Sequence, residues 1–128
     1  VEWCLDVQQK AQEQTLAALQ KDKDIVGIFG VNVFSAQGAN QAVVNAGLVG
    51  AVKIASWDAT TANIENLKKG VVDLVLAQKP AEMGSLGVEW MYKYLTQKAQ
   101  VPKKIIPGFE FFTKDNVNDP AMQQYIYQ

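Results

Sequence analysis

Three short apolar runs recur along this chain, and each is followed by a polar residue and a segment with helical spacing. The runs are Ile25 to Phe29, Val52 to Trp57 and Val72 to Ala77. The first contains no polar residue and is rich in β-branched side chains, which is typical of a strand covered on both faces in a parallel sheet. Strands that alternate with helices of this length predict an α/β fold, with a doubly wound, mostly parallel sheet and helices on both of its faces.

Local signals indicate where the first two helices begin and end. Asp6 has Gln9 three residues after it, the spacing of a capping box, so a helix is predicted from Asp6 to about Gln20. The residues before Asp6, from Val1 to Cys4, are predicted to end a strand. We expect Ser35 to cap the second helix. Gly47 stands where that helix needs a left-handed terminating residue.

The third and fourth helices have similarly clear boundaries. The third is predicted from about Thr61 to Lys69 and ends at Gly70, while the fourth begins at Pro80, whose fixed φ suits a first helical turn. After it, Pro107 indicates an edge or crossing segment. The fourth helix has an apolar stripe that is expected to be buried, made of Met83, Leu86, Gly87, Trp90 and Tyr94.

Composition removes several classes of function. The 128 residues suffice for one compact domain, and 12 Lys and Arg against 13 Asp and Glu give no general attraction to nucleic acid or anionic membranes. The chain has no histidine and one cysteine, so neither a metal site nor a catalytic triad is expected, and no cofactor is predicted. No apolar run approaches the roughly 20 residues that span a bilayer. Because the chain begins at Val1 without Met, we expect a processed or excised piece.

The polar residues that follow the three apolar runs are the main candidates for a binding site. They are Asn32, Asp58 and Gln78. In open α/β sheets, ligands bind outside the carboxyl ends of the strands. Carboxylates and primary amides each offer two hydrogen-bonding positions in a plane, which suits the adjacent hydroxyl groups of a polyol. The alternative is that each residue merely caps the helix it precedes.

Four more residues near the same rim are further candidates for ligand contact. Leu5 and Asp6 lie at the first predicted turn, and Phe34 and Trp57 could present aromatic faces to the C–H side of a sugar ring. A phosphate site is disfavoured because the glycines lack the G-x-G-x-x-G and P-loop spacings. Paired carboxylates for acid and base catalysis are also lacking, so the sequence favours binding over catalysis.

Five motifs follow one another along the chain: Ile28-Phe29-Gly30-Val31-Asn32, Ser56-Trp57-Asp58-Ala59-Thr60, Ile64-Glu65-Asn66-Leu67-Lys68-Lys69-Gly70, Ala77-Gln78-Lys79-Pro80 and Phe112-Thr113-Lys114-Asp115-Asn116-Val117. In this order they resemble the ribose-, galactose- and glucose-binding proteins of bacterial ABC importers. The resemblance runs from near Val1 to about Pro120. Val33 stands where relatives often have Asp and Trp57 where many have Phe, so ribose itself is not implied.

The resemblance implies a two-lobed receptor that encloses a pentose or hexose between its lobes and delivers it to a membrane permease. In the family, the positions of Asn32, Asp58 and Gln78 hydrogen-bond sugar hydroxyls, and the turn at Leu5 and Asp6 often adds a contact. The resemblance also implies a periplasmic or extracellular location, either free or anchored as a lipoprotein.

The family is more than twice this length, so the resemblance implies that the entire amino-terminal lobe and the first unit of the carboxyl-terminal lobe are missing. Residues 1–79 would be part of the carboxyl-terminal sugar-binding lobe. Residues 80–110 would belong to the other lobe, and residues 111–128 would return as a final segment and tail. The apolar stripe of the fourth helix would then lack much of its cover, and we expect exposed apolar surface if this piece is made alone.

Two other functions remain compatible with the sequence. The effector-binding core of a sugar-responsive transcriptional regulator or sensor uses the same fold and similar residues after its strands. The other hypothesis is a small enzyme of flavodoxin-like architecture. The absence of histidines, of a phosphate-binding loop and of a carboxylate pair argues against it.

Overall fold

A computed structural model describes residues 1–127. Its elements are, in chain order, α1 (Gln8–Lys21), β1 (Gly27–Gly30), α2 (Val33–Asn45), β2 (Lys53–Trp57), α3 (Thr61–Lys69), β3 (Leu74–Gln78), α4 (Pro80–Gln97), β4 (Phe109–Phe112) and a 3₁₀ helix (Pro120–Tyr125). Strands alternate with helices as predicted, so the α/β fold class is confirmed.

The strands form one mixed sheet in the order β1-β2-β3-β4. The first three strands are parallel, and β4 runs antiparallel to β3 at the edge, which agrees with the edge or crossing segment indicated by Pro107. Gly30 pairs with Ser56, and Ser56 pairs with Val75. The carboxyl ends of β1, β2 and β3 therefore lie at the same edge of the sheet.

One face of the sheet forms the core of the described chain. Ile54, Val75 and Phe112 point into it and are almost completely buried, together with residues of α2 and α3. The packing is close, because a Cβ on Gly30 would lie 2.4 Å from the Cα of Ala36 in α2. Only a glycine at that position lets the helix rest directly on β1.

The opposite face, which we call the open face, carries aromatic side chains that stay partly exposed. Phe29, Trp57 and Phe109 lie side by side across β1, β2 and β4, with ring centroids 6.1 Å and 5.8 Å apart. Phe29 is 52% exposed. Helices α2 and α3 pack on the core face. Helices were predicted on both faces of the sheet, but within the described residues they cover one face.

Helix α4 begins at Pro80 as predicted, but its apolar stripe is not buried. None of its residues, all of which the structure describes, is buried. The stripe instead lines an apolar groove with Val101, Ile105 and Pro107. The expectation that this stripe lacks cover is confirmed. No helix within residues 1–127 has the length and apolar character that a membrane span requires.

Some helix ends differ from those predicted. Helix α1 starts after Val7, and Asp6 is not its cap because Asp6 has a left-handed backbone with φ of 56°. Within the described chain, Val1 to Cys4 do not form a strand. Asn32 caps α2, and Ser35 is its partner three residues on, completing a capping box. The first cap position thus lies one residue after the predicted one and the second lies three residues before it. Asp6 instead takes the left-handed turn that Asp tolerates, and Asn32 takes the cap position that Asn favours.

The predicted helix ends at glycines are confirmed. Gly47 and Gly70 both have left-handed backbones, with φ of 68° and 79°, and α3 spans the predicted residues. Glycine takes this conformation without the steric cost of a Cβ.

Candidate functional site

Asp58 follows β2 at the carboxyl edge of the sheet, with a left-handed backbone (φ 74°) and a side chain that is mostly buried. It does not cap α3, because Thr60 is the cap and its hydroxyl accepts from the amide of Asn63 at 3.3 Å. The capping alternative therefore does not explain Asp58. A non-glycine residue held in this region is strained, and such strain concentrates at functional sites.

A buried asparagine holds the Asp58 turn in place. Asn63 Nδ2 donates to the carbonyls of Asp58 at 2.8 Å and Trp57 at 3.2 Å. Its Oδ1 accepts from Asn40 Nδ2 at 3.2 Å, which ties the turn to α2. The amide of Asp58 donates to the carbonyl of Leu76 in β3 at 2.9 Å. These bonds compensate the strained backbone.

Replacing this asparagine is expected to destabilise the protein. Asn63→Leu keeps a similar volume but leaves the carbonyls of Trp57 and Asp58 without their donor, and each unsatisfied buried group costs about 1–3 kcal/mol. The measurement is the free energy of unfolding by urea. Asn66→Leu, a change on the same helix at a residue that is not fully buried, is the matched control and should cost less. Equal costs would contradict a special role for the Asn63 network.

Gln78 is brought directly onto Asp58. Its Nε2 donates to Asp58 Oδ1 at 2.6 Å. Like Asp58 it is no helix cap, because the residue before α4 is Lys79. Lys79 forms an ion pair with Glu110 at 2.7 Å, and the hydrogen bond that its ammonium donates to that carboxylate raises the pKa of Lys79. The structure thus joins two of the three predicted site residues in one hydrogen-bonded pair.

Tyr127 completes this pair, and sequence reasoning missed it. Its hydroxyl donates to the same oxygen, Asp58 Oδ1, at 2.6 Å. Its amide donates to the carbonyl of Ala59 at 3.1 Å, and Tyr127 forms an isolated parallel β-bridge with Thr60. Burial, and secondly the hydrogen bond to Asp58, raise the pKa of Tyr127, so the phenol stays neutral. The two residues are 69 positions apart, and no local spacing signals their contact.

Asn32 lies at the next strand end but is engaged differently. Its Oδ1 accepts from the amide of Ser35 at 2.9 Å, so the capping interpretation is correct for this residue. Its Nδ2 donates to Asp6 Oδ1. Leu5 and Asp6 form a tight turn in which both residues have positive φ, and both are exposed. The structure therefore pairs two predicted candidates, Asn32 and Asp6, at the same edge of the sheet.

The two aromatic candidates lie in different environments. Phe34, in the first turn of α2, is exposed. Trp57 is half-buried and packs between Phe29 and Phe109 on the open face. A ring held by two aromatic neighbours has a packing role of its own. Sugar contact by Phe34, Trp57 or Leu5 stays a prediction.

The site offers hydrogen-bonding groups for a neutral ligand. Asp58 supplies a carboxylate acceptor, while Gln78 and Asn32 supply amides with both donors and acceptors. Within residues 1–127 no cluster of three or more His, Cys, Asp or Glu side chains could hold a metal ion. This chemistry suits reversible recognition of hydroxyl groups.

Comparison with known proteins identifies the family to which the chain belongs. The model of the periplasmic binding protein domain family matches residues 3–99. The chain belongs to the periplasmic binding protein family. A curated relative, the D-allose-binding periplasmic protein of Escherichia coli (strain K12), is 31% identical over 101 residues, which is 79% of this chain and 32% of the relative.

Solved structures of ABC transporter solute-binding proteins superpose closely on the chain. An ABC transporter solute-binding protein from Agrobacterium vitis, bound to α-D-tagatopyranose, has a TM-score of 0.92 and 37% identity, covering 99% of this chain and 42% of that one. A second from the same organism, with D-fucose, has a TM-score of 0.86 and 29% identity, covering 98% and 43%. A third, from Actinobacillus succinogenes 130z with D-allose, has a TM-score of 0.80 and 27% identity, covering 91% and 40%.

The chain is much shorter than these similar proteins. It spans about a third of the curated relative and about two fifths of each of the three solved structures. The open face and the apolar face of α4 are two surfaces that the described residues leave without cover.

Proposed function

We propose that this chain supplies one wall of a monosaccharide site in a receptor for an ABC-type importer, with Asn32, Asp58 and Gln78 as ligand-binding residues. The observation that carries the proposal is the Asp58 carboxylate, which caps no helix and is fixed by donors at the carboxyl edge of the sheet. The related solved structures named above hold monosaccharides, which supports a pentose or hexose as the ligand.

The mechanism is binding without bond breaking. Two lobes close over the sugar by hinge motion, and the closed form is recognised by the membrane permease. Asp58 is the strongest single anchor, because hydrogen bonds to charged groups contribute about 1.5–3 kcal/mol each. Asp6 and Leu5 line the rim, and Phe34 and Trp57 are candidates for the aromatic faces. The proposed receptor works in the periplasm or outside the cell, either free or anchored as a lipoprotein, and acts by binding without enzymatic activity.

The chain is proposed to divide between the two lobes of this receptor. Residues 1–79 belong to the sugar-binding lobe, residues 80–110 cross to the other lobe, and residues 111–128 return. Two features support this division: α4 buries no side chain against the rest of the chain, whereas Phe112 of β4 is completely buried in the core. The amino-terminal lobe then covers the apolar face of α4.

Sugar binding is expected to raise the melting temperature of the complete two-lobed receptor. A ligand that binds only the native state stabilises it, by about 2.7 kcal/mol at a concentration 100 times Kd. The measurement is a thermal-shift panel of pentoses, hexoses and disaccharides, including D-allose, D-tagatose and D-fucose. We expect a shift with at least one monosaccharide and none with disaccharides. If no sugar produces a shift, the receptor proposal is wrong.

A further inference from the structure

We propose that Tyr127 is a positioning residue that orients the Asp58 carboxylate. Asp58 and Tyr127 together form a corner of the site that accepts hydrogen bonds, so a ligand hydroxyl group bound there must act as the donor. The inference rests on the proposed sugar-binding function and extends it to a residue of the carboxyl-terminal tail. It also specifies the hydrogen-bond polarity of this corner, which means that the ligand must donate and the protein must accept.

The polarity follows from how the protons are already used. An ionised carboxylate only accepts hydrogen bonds, so both neighbours of Asp58 Oδ1 must donate to it. Tyr127 has one hydroxyl proton, and that proton points at Asp58 Oδ1, which lies 2.6 Å from the phenol oxygen. The phenol oxygen therefore keeps only its lone pairs for any other partner. A ligand group that meets Tyr127 must bring its own proton.

The second oxygen of the carboxylate has the same preference. Asp58 Oδ1 accepts hydrogen bonds from both Gln78 and Tyr127, while Oδ2 makes no hydrogen bond to any other residue within the described part of the chain. Fixing one oxygen with two donors turns the other oxygen in a defined direction. The corner thus presents two acceptors, Asp58 Oδ2 and the Tyr127 oxygen, to ligand hydroxyls. Anions such as sugar acids and sugar phosphates would meet like charge there.

The main chain of the tail holds Tyr127 in place independently of its hydroxyl. The amide of Tyr127 donates to the carbonyl of Ala59, and the residue bridges Thr60. Two residues earlier, the ring of Tyr125 lies 5.0 Å from the ammonium of Lys79. The tail therefore contacts the residue after Asp58 and the residue after Gln78. Because the anchoring uses backbone and ring, removing the Tyr127 hydroxyl alone should leave the tail seated.

The test compares two hydroxyl deletions in the complete receptor. Tyr127→Phe removes the bond to Asp58, whereas Tyr125→Phe makes the same change where the described residues show no hydroxyl bond and keeps the ring under Lys79. We expect the Tyr127 change to raise the calorimetric Kd for the best-binding sugar among D-allose, D-tagatose and D-fucose about tenfold, in line with a hydrogen bond to a charged group. The Tyr125 change should leave Kd within about twofold.

A purely structural role would give a different pattern. It would lower the melting temperature of the sugar-free protein with Tyr127→Phe but leave Kd unchanged, and that result would overturn the proposal. If the unmodified receptor binds no sugar at all, the proposed function itself fails and this inference falls with it. The two failures are therefore distinct.

The polarity is tested without any protein variant. Monodeoxy and monofluoro derivatives of the same sugar are titrated into the unmodified receptor, because fluorine accepts weakly and cannot donate. At the ligand position that faces Asp58 and Tyr127, we expect both derivatives to bind about tenfold weaker than the parent sugar. The loss should shrink in Tyr127→Phe, since the two groups then no longer act together. Full affinity of every fluoro derivative would show that no ligand hydroxyl donates a hydrogen bond to Asp58 or Tyr127, and would sink the proposal.

Discussion

Asp58→Ala in the complete receptor is expected to weaken sugar binding at least tenfold, measured as Kd by isothermal calorimetry. The carboxylate is the charged acceptor of the site, and hydrogen bonds to charged groups contribute about 1.5–3 kcal/mol. Removing it also releases Gln78 and Tyr127, which both donate to Asp58 Oδ1. The loss therefore combines a missing anchor with two neighbours that no longer hold their positions.

Two further variants separate these contributions. Asp58→Asn keeps the shape of the side chain and an acceptor oxygen, so its effect should lie between those of the unmodified protein and Asp58→Ala. Asp24→Ala is the matched control, because Asp24 is an exposed carboxylate before β1, at the opposite edge of the sheet. It should leave Kd unchanged. An unchanged affinity in Asp58→Ala would remove Asp58 from the site.

Phe112→Ala is expected to lower the free energy of unfolding by about 3–5 kcal/mol, the usual cost of removing a buried aromatic ring. Phe112 is completely buried and packs with Val75, its partner in β3. The loss combines the transfer free energy of the ring with the cavity left behind. The measurement is urea unfolding followed by circular dichroism.

The size of this effect also tests the proposed division of the chain. If residues 111–128 return to the sugar-binding lobe, Phe112 is part of that lobe's core, and its truncation should weaken sugar binding only through lost stability. Phe112→Leu is the control, because it keeps an apolar side chain and should cost clearly less than the alanine change. Similar small costs for both variants would mean that β4 is not part of the core.

Two apolar surfaces of the chain are left uncovered by the described residues. The open face has Phe29 and Phe111 about half exposed, and the helix α4 has no buried residue. Contiguous apolar surface of this kind mediates contact with other protein segments or leads to aggregation. The proposed amino-terminal lobe would cover the apolar face of α4.

The sequence by itself determined most of the elements and their order, although the strand predicted at Val1 to Cys4 does not form. The unbroken apolar run before Asn32, the glycines after α2 and α3, and Pro80 at the start of α4 are local signals, and each acts within a few residues through backbone geometry. Because parallel strands share one carboxyl edge, the same signals were enough to predict that Asn32, Asp58 and Gln78 lie at one side of the sheet. The family resemblance rested on these motifs too.

The tertiary structure decided how each polar residue is used. Asn32 and Asp58 follow equivalent strands, yet one caps a helix while the other holds a left-handed turn and keeps its carboxylate for other partners. Tyr127 reaches Asp58 across 69 positions, and Asn63 supports the same turn from inside the core. Contacts between residues so distant in the chain depend on how the helices pack on the sheet. The local spacing of residues in the sequence does not specify that packing.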